Sequence, residues 1–166
     1  DRKNDRNHPT KRKRPLASNR ISLPTAAIVM TGLLASGFWL ALMINLAYLV
    51  LSIAFLTIGV LYTFALKKIF LADAITIAVN FVLRAILGAV AIGVIFSSWL
   101  IVCTFLLAMT LVFGKRRAEL INGYKNHRDV LEHYSLNLLN SLSLLSITSL
   151  FISYAIYTIS QTHSSN

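Results

Sequence analysis

Two aspartates four residues apart, Asp1 and Asp5, open the chain, and a dense run of cations follows them. On a helix, residues four apart share one face. Two carboxylates so placed suit Mg2+, which takes a few carboxylates and completes its shell with water and phosphate oxygens. Lys11 and Arg14 come next. Farther on, Tyr62, Lys67 and Asp73 lie close together, Arg84 stands alone in an apolar stretch, and Lys115, Arg116 and Arg117 surround a single acid, Glu119. Cations in this excess are the chemistry of phosphate binding, Arg as a planar fork and Lys as a point charge. Cys103 is the single cysteine and sits in an apolar run, so it reads as a small buried apolar residue rather than part of a disulfide or metal site.

The elements that must position these residues are membrane spans. Of the 166 residues, 56% are hydrophobic and only 13% charged, about half the share of an ordinary soluble domain. Five apolar stretches of roughly 20 residues each suffice to cross about 30 Å of hydrocarbon. They run from about Pro24 to Met43, Leu46 to Leu66, Ala72 to Val94, Trp99 to Gly114, and Ser135 to Ile159. The expected fold is all-α, a polytopic transmembrane helix bundle. If the basic loop 1–23 is cytoplasmic, 67–71 and 115–134 are too, and every one of the 16 Lys and Arg except Arg84 falls on that side. This is a strong positive-inside pattern. It explains the net charge of +10 without nucleic acid as a partner. The lipid bilayer is the partner implied, with a multi-pass protein in the plasma (inner) membrane and its active face cytoplasmic. All six acids lie at or near that face.

Several residues have two readings. Asp129 and Glu132 fit solvated loops, where exposed charges do little. Asp73 is either an acid favoured by a helix N-terminus or a contact to sugar hydroxyls or a metal. Tyr62 is either an interfacial anchor or a phosphate donor. Arg84 lies deep in its span, where insertion of a cation costs about 2.5–3.5 kcal/mol. Such a residue faces protein or a wet cavity and has a partner, here a ligand phosphate or an acid on another span. Trp39, Phe38 and Tyr48 read as interfacial or lipid-facing.

The run Asp5-Arg6-Asn7-His8-Pro9-Thr10-Lys11-Arg12-Lys13-Arg14-Pro15 resembles the first aspartate-rich motif of the UbiA superfamily of intramembrane transferases, Asn-Asp-x-x-Asp-x-x-x-Asp-Arg-x-His-Pro-x-Lys-x-x-Arg-Pro. Asp1 would be its middle acid and Asp5 its last, with the leading pair expected upstream. Later segments resemble the branch that acts on decaprenyl phosphate as phosphoribosyltransferases. These are Tyr62-Thr63-Phe64-Ala65-Leu66-Lys67, Phe81-Val82-Leu83-Arg84-Ala85 with Gly88, Ser98-Trp99, Gly114-Lys115-Arg116-Arg117-Ala118-Glu119-Leu120, and Arg128-x-x-Leu131-x-x-Tyr134. The likeness covers nearly the whole chain, which reads as five spans of a larger, here incomplete, UbiA-type domain over residues 1–166.

The resemblance implies an enzyme. Asp1 and Asp5 would hold Mg2+ on a substrate diphosphate, and Arg84 would join them as a catalytic group. Lys11, Arg14, Tyr62, Lys67, Lys115 and Arg116 would meet substrate phosphates. Asp73 and Glu119 would touch a ribose or support those that do. Quinone-type members carry a second Asp-x-x-x-Asp motif where this chain has Lys115, Arg116, Arg117 and Glu119. One acid among three cations is a poor second Mg2+ cradle and a better direct phosphate binder. That points to phosphoribosyl diphosphate as donor and a polyprenyl phosphate lipid as acceptor. The alternatives are isoprenoid transfer to an aromatic acceptor and a transporter segment, the latter without the inverted repeat or broken helices it calls for.

Overall fold

The structure, a computed structural model, describes residues 11–122, 131 and 133–164. Asp1, Asp5, Arg128, Asp129 and Glu132 lie outside the described residues. Five long helices dominate: α1 (Leu23–Ile44), α2 (Leu46–Phe64), α3 (Ala72–Ala91), α4 (Ser98–Ile121) and α5 (Leu136–Ser164). Short 3-10 turns occupy Lys11–Lys13 and Leu66–Lys68. No strand occurs among the described residues. All five helices are long and apolar enough to cross a membrane.

The boundaries follow local chemistry. Ser22 caps α1 by accepting a hydrogen bond from the Thr25 amide, with Pro24 in the first turn where a missing N–H is harmless. Ser97 and Ser135 do the same for α4 and α5 through Trp99 and Leu138. The third span stops at Ala91, short of Val94, because Gly93 adopts φ +68°. Val94 N–H then bonds to Ala89 O and Gly93 N–H to Val90 O, the paired bonds of a Schellman stop. The fourth helix does the reverse. It continues past Gly114 through Lys115, Arg116, Arg117 and Glu119 to Ile121, since Lys, Arg, Ala, Glu and Leu all favour helix.

Several hydroxyls inside the spans are satisfied within their own helices, as hydrocarbon demands, whereas Ser143 Oγ in α5 is buried with no partner among the described residues. Thr57 donates to Ile53 O, Thr76 to Ala72 O and Thr110 to Leu106 O. Large apolar side chains such as Leu33, Phe64 and Phe151 point outward, a surface that a bilayer rather than water would cover.

The chain divides into two units, residues 1–46 and 47–166. The first contains α1 and the turn with Lys11 and Arg14. In it, Ser18 N–H bonds to Arg14 O and Arg20 N–H to Pro15 O, folding the basic segment back on itself. In the second unit α3 packs on α4, and α4 on α5. Its core comprises Ala74, Val112, Phe113, Leu120, Leu131, Tyr134 and Leu139. These residues come from the start of α3, the end of α4, the approach to α5 and its first turn. The tightest packing is therefore at the helix ends that carry the charges.

Candidate functional site

The second unit builds its charged site where α3 begins and α4 ends. Asp73 lies in the first turn of α3 and Arg116 in the last part of α4. Each suits its helix terminus, an anion at the N-end and a cation at the C-end. Their side chains are 0% and 1% exposed. Arg116 Nε donates to Asp73 Oδ2 at 2.9 Å, and Nη2 lies 2.7 Å from the same oxygen. Arg116 Nη1 donates to Glu119 Oε2 at 3.0 Å, one turn along α4. The Tyr134 hydroxyl donates to the other oxygen of Asp73, Oδ1, at 3.0 Å.

This network is closed on the inside and open at its edge. Both Asp73 oxygens are engaged, Oδ2 by Arg116 and Oδ1 by Tyr134. Arg116, expected on a substrate phosphate, directs three of its nitrogens at two carboxylates. Glu119 is 23% exposed and is the acid of the cluster that solvent reaches. Lys115 and Arg117 are exposed, and Arg117 Nε donates to Asn140 Oδ1 at 2.7 Å, tying α4 to α5. Burial pushes the Tyr134 hydroxyl pKa well above the usual tyrosine range. The negative charge of Asp73 and the hydrogen bond to it act in the same direction, while the Leu71 backbone and the Arg116 charge oppose them. Tyr134 thus stays protonated and remains a donor.

The loop before Asp73 is strained. Leu71, which is not glycine, sits at φ 61°, and Ala72 N–H bonds to Phe70 O at 2.8 Å. That is a γ-turn of the rare positive-φ kind. The Phe70 ring leans on the Tyr134 ring, centroids 4.9 Å apart. Lys67, half-buried, occupies the 3-10 turn just upstream. Tyr62, also half-buried, is within electrostatic reach of Arg116.

Along α3, Asp73, Thr76, Asn80 and Arg84 follow at steps of three and four residues and share one face. Arg84 lies about 16 Å along the axis from Asp73 at 1.5 Å per residue, near mid-span. Its guanidinium carbon stands 5.7 Å from the centre of the Phe55 ring on α2, close enough for a cation–π contact, and the side chain is exposed. The sequence offered a phosphate or an acid as its partner, and among the contacts of the described chain it is an aromatic face. Asn80 Oδ1, on the same stripe, is buried with no hydrogen-bond partner among the described residues.

The sequence-expected residues fall in separate places. Asp73, Arg116 and Glu119 are brought into direct contact. Arg84 sits apart from them, down the helix. Lys11 and Arg14 belong to the first unit, where Arg14 is exposed. Among the described residues no group of three or more His, Cys, Asp or Glu is gathered as a metal site. Tyr134 is the residue that sequence reading passed over. It figured only in a spacing pattern, and its partner lies 61 residues away.

Five membrane-crossing helices with a buried ionic network at their charged ends define a polytopic α-helical membrane protein. The model of the UbiA prenyltransferase family matches residues 1–126, and the chain belongs to that family. Among similar curated proteins is the decaprenyl-phosphate phosphoribosyltransferase of Mycolicibacterium smegmatis, 29% identical over 164 residues, which are 95% of this chain and 50% of that protein. That of Mycobacterium tuberculosis is 30% identical over 159 residues, 92% of this chain and 52% of that protein. An uncharacterized Sinorhizobium fredii protein, y4nM, is 32% identical over 128 residues, 77% of this chain and 25% of that protein. The chain thus spans between a quarter and about half the length of these relatives.

Proposed function

We propose that the protein transfers a 5-phosphoribosyl group from phosphoribosyl diphosphate to a polyprenyl phosphate of the decaprenyl type, at the cytoplasmic surface of the plasma membrane. The bond from the anomeric carbon to the diphosphate breaks. An oxygen of the lipid phosphate forms the new bond to that carbon, and diphosphate leaves with the electron pair. No strong general base is needed, because a phosphate monoester is already anionic near neutral pH, its second pKa being about 6.

The observation that carries this reading is the charge at the end of α4. Among the described residues the acids near it are Glu119 and, at the start of α3, Asp73, and both bind Arg116. Lys67, Lys68, Lys115 and Arg117 add to that cation, so among the described residues positive charge is in excess. Such a surface receives phosphates rather than a second Mg2+. The match to phosphoribosyltransferases over nearly the whole chain supports the same donor and acceptor.

Roles then divide by location. Asp1 and Asp5, two hard carboxylates four residues apart, would hold Mg2+, which when bound would supply neutralisation of charge on the leaving diphosphate. Lys11 and Arg14 hold diphosphate oxygens. Lys115, Lys67 and Tyr62 receive phosphates of the water-soluble donor at the membrane surface, and Arg84 meets the anionic head of the lipid from within the span. Glu119, with an exposed edge, accepts from the ribose hydroxyls. Asp73 and Arg116 support Glu119 rather than touch substrate. Grouped cations keep two highly charged substrates from repelling each other at the site.

A second reading, isoprenoid transfer from a prenyl diphosphate to an aromatic acceptor, is favoured by the description of the matched family itself. The two separate in one assay. Membranes bearing the full-length protein receive radiolabelled phosphoribosyl diphosphate, Mg2+ and polyprenyl phosphate. Label that enters the organic phase, and is lost with chelator, establishes phosphoribosyl transfer. A folded protein that moves no label directs attention to prenyl diphosphates.

A further inference from the structure

Tyr134 holds the short loop 69–73 by two points at once. Its ring packs against Phe70 and its hydroxyl bonds to Asp73, on either side of the strained Leu71. A positive φ at a leucine persists only where its surroundings over-determine it. Here the surroundings include these two contacts and the core against which Leu71 itself packs, with Arg116 fixing the far oxygen of Asp73. The loop is bonded in turn to its neighbours. Ile69 N–H bonds to Leu66 O, closing the turn with Lys67 and Lys68, and Asp73 N–H bonds to Ile69 O. A chain of short contacts therefore runs from Tyr134 to the lysine turn on one side and, through Asp73 and Arg116, to Glu119 on the other.

We propose that Tyr134 is a positioning residue for the water-soluble donor, setting Lys67 and Glu119 in register through Phe70 and Asp73. The inference rests on the phosphoribosyl-transfer reading, and it goes beyond it by assigning a role that depends on one hydroxyl and one ring. Tyr134 does not touch substrate in this account. Without its hydroxyl, Asp73 Oδ1 becomes a buried acceptor lacking that donor. The Asp73 carboxylate then turns to share both oxygens with Arg116, and the guanidinium that holds Glu119 shifts with it. The lipid acceptor, met by Arg84 far down α3, is outside this chain of contacts.

The test is steady-state kinetics of the full-length protein in membranes, with each substrate varied in turn. In Tyr134→Phe, kcat/KM for phosphoribosyl diphosphate falls roughly tenfold, the scale of one lost hydrogen bond to a charged group. The KM for polyprenyl phosphate is unchanged. Incorporating 4-aminophenylalanine in place of Tyr134 restores a donor and recovers most of the loss. A role in folding alone would lower the active fraction and leave both KM values in place, and that result, or wild-type kinetics in Tyr134→Phe, overturns the inference while the function stands. A wild-type protein that makes no phosphoribosyl lipid overturns the function, and the inference with it. Should Tyr134→Phe fail to fold, Phe70→Leu removes the ring contact and keeps the hydroxyl bond. The same donor-specific loss is expected there, and an unchanged donor KM overturns the inference.

Discussion

Arg116 directs two of its nitrogens, Nε and Nη2, at one oxygen of Asp73, at 2.9 and 2.7 Å, across 43 residues of chain. It does not straddle the carboxylate as a fork would. The second oxygen is thereby left to Tyr134, and the third guanidinium nitrogen to Glu119. Two helix ends and the approach to a third helix are joined by one cation.

Removing that cation strands a buried charge. Arg116→Met is expected to destabilise the protein by about 3 kcal/mol or more, the usual cost of breaking a buried pair from one side. The double change Arg116→Met with Asp73→Leu recovers much of it, because the stranded carboxylate is gone. Unfolding of the purified protein in mild detergent, followed by helical circular dichroism, measures both.

Stability at alkaline pH reports on Tyr134. Its folded-state pKa is raised by burial first and by Asp73 second. The folded state therefore holds the proton more tightly than the unfolded chain. The contribution is fully present below the unfolded value of about 10 and is lost as pH climbs above it towards the folded value. Tyr134→Phe lacks this proton. The stability difference between wild type and Tyr134→Phe should accordingly be constant below about pH 9 and shrink above about pH 10.

Arg84 should separate activity from stability. Its cation–π contact with Phe55 is worth about 1 kcal/mol, so Arg84→Gln should leave the unfolding midpoint almost unmoved. Transfer should fall by about two orders of magnitude, as when one preorganised donor is removed from a developing or substrate charge. Rate and melting measured on one preparation decide it.

Lys115 is exposed on α4, so Lys115→Ala should fold normally. The KM for phosphoribosyl diphosphate should rise roughly tenfold, the scale of a lost charge-assisted contact. The defect should narrow as salt is added, since screening weakens the wild-type contact that the variant lacks.

The helices were legible because a span announces itself through a long apolar run with charged borders. The expected end of the third span, Val94, overshoots the observed Ala91, because hydropathy does not register Gly93, whose freedom to adopt φ +68° stops the helix. The expected end of the fourth, Gly114, falls short of the observed Ile121. Hydropathy marks where hydrocarbon stops, whereas the backbone bonds of α4 continue through Lys115 and Arg116 into the polar region. The residue types at the site were visible, but their pairing was not. Asp73 and Arg116 follow no local spacing, so a buried ion pair looked from sequence like two separate ligands. The turn at Leu71 is hidden for a related reason: leucine carries no signal for positive φ, and tertiary contacts, its own packing on the core among them, accompany it. Asp1 and Asp5 announced a metal site through spacing and resemblance, and they lie outside the described residues.

The central claim is the identity of the transferred group. The most direct measurement is mass spectrometry of lipids extracted after membranes with the full-length protein are given phosphoribosyl diphosphate, polyprenyl phosphate, a prenyl diphosphate and an aromatic acid together with Mg2+. The account predicts a new lipid heavier than polyprenyl phosphate by one phosphoribosyl group, absent in Asp5→Asn. A prenylated aromatic acid with no phosphoribosyl lipid would contradict it.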